Sequence, residues 1–189
     1  MLPSLSDKWG AKLQVLIPLA AEPSNVSTRR NSLAKLKKIE SIRVSCSGKD
    51  GGTRYAVEVF MNSSVNSCPG LSMEPTGPTV RIVRELWEFK DIAKELHGIV
   101  DSAHSSQRCE LCSAILNWYV FGEDPDGLFI KFLGSDRVAR KLTKFMNDLL
   151  ATVIDFASDN TQGRCSGQTL VPLAVHKFLF NPSATCDAS

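Results

Sequence analysis

The sequence predicts an α+β domain in which a three-stranded antiparallel sheet packs against a helical subdomain. Three observations carry that expectation. Two segments of period-two hydrophobicity flank a glycine-rich turn. A third such segment runs directly into an amphipathic helix. A continuous apolar stripe then extends from Val138 to Ile154. Period two places alternate side chains on one face of a strand, whereas recurrence at three and four residues places them on one face of a helix.

Residues 1–35 hold no sustained period and are rich in Ser, Pro and Asn, so a disordered arm is expected there. Its end is basic: Arg29, Arg30, Lys35, Lys37 and Lys38 occur with no acid among them. A solvated charge run is the plain account. Attraction to an anionic membrane surface is the functional one, contributing about 1 kcal/mol for each basic residue close to it. Arg29-Arg30-Asn31-Ser32 also has the form of a basophilic kinase site presenting Ser32. The apolar run Leu13 to Ala21 follows Lys8 and Lys12, but Gln14 and Pro18 interrupt it and Asp7 precedes it. It is a poor secretory signal, and the thiols are expected to be reduced.

From Ile39 the pattern becomes a hairpin. Ile42, Val44 and Cys46 alternate with polar residues, 48–52 supply a glycine-rich turn, and Tyr55, Val57 and Val59 return. A Ser/Pro/Gly/Asn loop leads to a third strand over 79–84. Leu86, Phe89, Ile92, Ala93, Leu96 and Val100 follow helical spacing, and a short apolar segment spans Cys109 to Leu116. The longest helix is expected from Asp136 to Phe156, capped by Ser135 or Asp136. A last helix over Val171 to Phe180 closes the domain at 36–181, leaving 182–189 as a disordered tail.

Composition excludes several functions. Lys and Arg number 22 against 20 Asp and Glu, a net charge of +2. A nucleic-acid binder working through bulk electrostatics is far more basic. No run approaches the roughly 20 apolar residues that cross a bilayer. Hydrolase, phosphate-loop and zinc-protease motifs are missing, and Asp124 and Asp126 sit with Pro125 and Gly127 in a turn. No enzyme is expected, and no cofactor.

Cys109-Glu110-Leu111-Cys112 is the one compact cysteine pair among six cysteines. It supplies two metal ligands, and structural zinc needs four. Cys165 and Cys186, or His97 and His104, could complete such a site, yet none has the spacing of a second knuckle. Buried reduced thiols are the expectation, with no metal. A zinc site or a redox pair are the alternatives.

Three segments also resemble one family. Arg84-Glu85-Leu86-Trp87-Glu88-Phe89 is similar to the Arg-Arg-Tyr-Ser-Glu-Phe signature of phox-homology (PX) domains, at the same strand-to-helix junction. The stretch from Arg140 to Leu150 resembles the family's Leu-x-x-Phe-Leu-x-x-Leu-Leu helix, and Val175 to Leu179 its closing Val-x-x-Phe-Leu. The cysteine pair after the first helix resembles divergent oomycete PX-like proteins. The resemblance implies a cytoplasmic adaptor held peripherally at phosphoinositide-containing membranes, the endosome being the candidate. It also puts Glu85 where the family carries its phosphate-binding Arg, Leu86 at its tyrosine and Val138 at its later Arg. Arg84 is retained, while Arg137, Arg140 and Lys131 lie where they could compensate. Weak or non-selective lipid binding is therefore expected, by Arg84, Arg137, Arg140, Lys131 and the basic arm. A protein-docking domain without lipid recognition is the alternative, and a thiol or zinc protein a third reading.

Overall fold

A computed structural model describes residues 25–47, 54–62, 77–122, 134–157 and 165–181. Their order is α1 (Asn25–Leu36), β1 (Ile39–Cys46), β2 (Arg54–Met61), β3 (Val80–Glu85), α2 (Leu86–Ser102), α3 (Glu110–Phe121), α4 (Ser135–Phe156) and α5 (Ser166–Phe180). The molecule is α+β, with a three-stranded antiparallel sheet in the order β1-β2-β3. Expected and observed fold class agree.

Register explains which face is buried. Val44 pairs with Val57 and Val57 with Ile82, while Ile42 pairs with Val59 and Val59 with Val80. These side chains share the inward face. On the opposite face Arg43, Glu58 and Arg81 line up, and Arg81 meets Glu58 at 3.5 Å. The same alternation turns Arg84 inward with Ile82, and Arg84 is buried.

α4 packs along β1, the sheet's edge. Leu142, Phe145, Met146 and Leu149 are buried on its apolar face. Beside them, Thr143 Oγ1 accepts the Val44 N–H at 2.9 Å and Asn147 Oδ1 accepts the Ile42 N–H at 3.0 Å. Asn147 Nδ2 donates back to Ile42 O at 2.7 Å. Two side chains thus satisfy strand groups that an uncovered edge would leave to water or to another chain. Behind the sheet, Phe89 of α2 meets the rings of Tyr55, Phe145 and Phe178 edge-on at 5.3–6.5 Å.

Three expectations need correction. Residues 25–35, assigned to a disordered arm, belong to helix α1, which buries Leu33 and Leu36 against α5. The cap of α4 is Gly134, and Asp136 instead sits in the first turn, where a carboxylate suits the positive helix end. α5 begins at Ser166, five residues before Val171, and carries Pro172 in its interior. Proline there cannot donate to the carbonyl of residue 168. Arg29 does so instead: its Nε lies 2.6 Å from Gln168 O. The arm residues 1–24 and the tail 182–189 lie outside the described residues. Among the described residues no helix is long and apolar enough to cross a membrane.

Candidate functional site

Arg84 is 5% exposed, and its guanidinium is directed at the end of α5. Nε and Nη2 donate to Phe178 O at 3.2 and 2.6 Å, and Nη2 also donates to Asn181 O. Nη1 meets Glu88 Oε1 at 2.9 Å, and the group lies 4.9 Å over the Phe178 ring. A cation on the last carbonyls of a helix satisfies orphan acceptors and the negative end of its dipole together. Arg84 is therefore committed to holding α5, with its charge already opposed by Glu88, rather than presented to an external phosphate.

Glu85 precedes α2 as its cap. Its carboxylate accepts from Trp87 Nε1 at 2.7 Å and Arg54 Nε at 3.3 Å, and its N–H donates to Glu88 Oε2 at 2.7 Å. An acid at a helix N-terminus is where the dipole favours it. Next to this junction a cleft of about 440 Å³ is bordered by Trp87, Glu88, Asp91, Glu95 and Lys177, with Arg84 at its base. Three carboxylates surround the two cations, so the cleft is poorly suited to a phosphorylated headgroup. Trp87 stands half-exposed at its rim.

The remaining basic residues separate. Arg29 is buried at 2% exposure on the Gln168 carbonyl, and Ser32 is buried beside it in α1. Neither forms part of an exposed arm, which corrects both the surface role of Arg29 and the kinase reading of Ser32. Arg30, Lys37 and Lys38 are exposed, and Lys35 lies 3.6 Å over the Phe180 ring. Lys131 lies outside the described residues. Arg137 and Arg140 are exposed in the first turns of α4.

α3 runs antiparallel to α4. Gln168 Nε2 reaches both Cys109 Sγ, at the start of α3, and Phe156 O, at the end of α4. Further along, Trp118 and Phe145 stack at 4.8 Å. Phe121 ends α3 three residues beyond Trp118. There Val120 is 64% and Phe121 83% exposed. Tyr119 turns aside to stack on His97. Two bare apolar side chains thus stand at the end of α3, while Arg137 and Arg140 are exposed in the first turns of α4. Trp118 itself is buried.

The opposite end of α3 carries a different constellation. Cys109 precedes α3, Cys112 is in its first turn, and Cys165 precedes α5. Cys165 Sγ is 3.5 Å from Cys109 Sγ and 3.6 Å from Cys112 Sγ. His104 completes the group, and the four ligand atoms all lie within 4.8 Å of one another. Of the four candidates that lack the spacing of a second knuckle, folding brings Cys165 and His104 to the Cys109/Cys112 pair, and His97 is not among the group. Burial of Cys109 raises its thiol pKa, but the Cys112 N–H and contacts with Cys165, His104 and Cys112 outweigh it, bringing the value down to about 7. Cys112 moves the other way, upward, because it is more deeply buried and faces two other sulfurs. Cys68 and Cys186 lie outside the described residues.

No protein-family model, no curated protein and no solved structure matches this chain.

Proposed function

We propose that the chain is a non-enzymatic peripheral membrane module that meets an anionic surface with the apolar tip of α3 and exposed cations, and not with a headgroup pocket. The observation that carries this reading is the exposure of Val120 and Phe121 at the end of α3, on a molecule whose Arg137 and Arg140 are also exposed. Apolar side chains enter the headgroup boundary while exposed cations remain with the lipid phosphates. Burying a phenylalanine contributes about 1.5–3 kcal/mol, so removing it weakens binding by roughly tenfold to a hundredfold. The PX-like resemblance agrees with a lipid surface as partner. The internal engagement of Arg84 favours a non-selective mode over a stereospecific one.

Vesicle sedimentation with the full chain tests it. Vesicles of phosphatidylcholine, of phosphatidylcholine with phosphatidylserine, and of matched charge containing phosphatidylinositol 3-phosphate are compared at two salt concentrations. The chain should pellet with both anionic vesicles alike and release as salt rises, since surface attraction is screened within about 8–10 Å. Phe121→Ser should weaken pelleting at least tenfold. Binding confined to the 3-phosphoinositide and indifferent to Phe121→Ser would overturn the reading. A second reading, docking of a basic segment of another protein, is favoured by the acidic cleft with Trp87 at its rim, and absence of pelleting would leave that one standing.

A further inference from the structure

We propose that His104, Cys109, Cys112 and Cys165 form a structural zinc site that ties the end of α2, the start of α3 and the start of α5 together. Three thiols and one imidazole converge with their ligand atoms inside 4.8 Å. Around a tetrahedral zinc with Zn–S bonds of about 2.3 Å, sulfurs stand ~3.8 Å apart, and the two pairs made by Cys165 are at 3.5 and 3.6 Å. A disulfide would need about 2.05 Å, and an odd number of thiols cannot all pair. Sulfur with one imidazole is a donor set that selects zinc over harder divalent cations.

Orientation supports the same ion. His104 Nε2 accepts the Cys109 N–H at 3.4 Å, a long bond that holds the ring at the cluster through a lone pair that zinc would take over. The close approach of α5 depends on Gly167, where a Cβ would lie 2.5 Å from Cys112 Sγ. Any larger residue would push α5 away from the thiols. Three thiolates around one zinc leave a net charge of −1. Cys109 and Cys165 each precede a helix, so two positive helix ends lie at the cluster. Gln168 Nε2 adds a donor 3.8 Å from Cys109 Sγ. On binding, the thiols surrender their protons to solvent and the four protein ligands fill the coordination shell. No position is left for substrate, which makes the role structural and not catalytic.

The sequence separations indicate what the ion would do. Cys165 lies 53 and 56 residues from Cys112 and Cys109. A metal joining them restricts the unfolded chain most where local structure cannot, and its binding free energy becomes folding free energy.

The decisive measurement is zinc content of the full chain, expressed with zinc in the medium, purified under reducing conditions and desalted. One zinc per chain is expected. X-ray absorption should give three sulfurs at about 2.3 Å and one nitrogen at about 2.0–2.1 Å. Cobalt exchange should give tetrahedral ligand-field bands with thiolate charge transfer. His104→Cys should keep the metal and shift those bands toward a four-thiolate set, while Cys46→Ser should leave stoichiometry unchanged. Cys165→Ser should lose the metal and lower the melting temperature of the zinc-grown protein to that of the chelated chain. A folded chain that holds no zinc, or one carrying a disulfide among the three cysteines, would overturn the proposal. So would zinc retained undiminished in both Cys165→Ser and His104→Ala. Since the unaltered chain decides the stoichiometry, a variant that fails to fold does not obscure the answer.

Discussion

Arg29 illustrates what a single residue can conceal. In the sequence it belongs to a basic run, and charge runs are solvated by default. In the fold it reaches a carbonyl 139 positions away, the one that Pro172 leaves without its helical donor. Neither half of that pair is informative alone. A double-mutant cycle tests the link. Arg29→Ala should destabilise the chain by about 1–3 kcal/mol in urea unfolding, because a buried acceptor loses its donor. In a Pro172→Ala background the helix supplies its own N–H to Gln168 O, and the cost of Arg29→Ala should fall. Equal costs in both backgrounds would show that Arg29 acts elsewhere. Arg84 was legible as a special arginine at the strand-to-helix junction. Its direction was not, because strand alternation only sets a face, and the carbonyls it meets belong to α5.

At the scale of elements, periodicity read well wherever one face is apolar and the other wet. β1, β2, β3, α2 and α4 all have that character. It read poorly for α1, whose mean composition is polar and whose few buried positions matter only once α5 lies against them. It also misplaced the start of α5, because Pro172 is a boundary signal that Arg29 overrides. Thr143 and Asn147 are a subtler case. They lie off the apolar stripe of α4, yet they complete the edge of the sheet. Thr143→Val with Asn147→Leu should leave the Ile42 and Val44 amides unpaired, costing about 1–3 kcal/mol per unsatisfied group. Hydrogen exchange at those two amides should then quicken, while Val57 in the central strand keeps its protection. Unchanged exchange at Ile42 would show that the edge is covered without Asn147.

Over the whole molecule, Phe89 joins the layers, since its ring meets aromatic partners from β2, α4 and α5. Phe89→Ala should cost about 3–5 kcal/mol and lower the midpoint of a single unfolding transition seen alike by circular dichroism and tryptophan fluorescence. Two separated transitions would show that sheet and helices are not one cooperative unit. The amino-acid sequence by itself determined the sheet, the hairpin order, the long helix and their inward faces. Those follow from how each short segment divides between water and core, a property it carries wherever it lies. Only tertiary structure decided that Arg29 is buried, that Arg84 caps a helix, and that His104 and Cys165 stand beside Cys109 and Cys112. Apart from His104, which lies five residues from Cys109, each depends on where α5 comes to rest. That position is set by packing between segments more than fifty residues apart, and no periodicity along the chain records it.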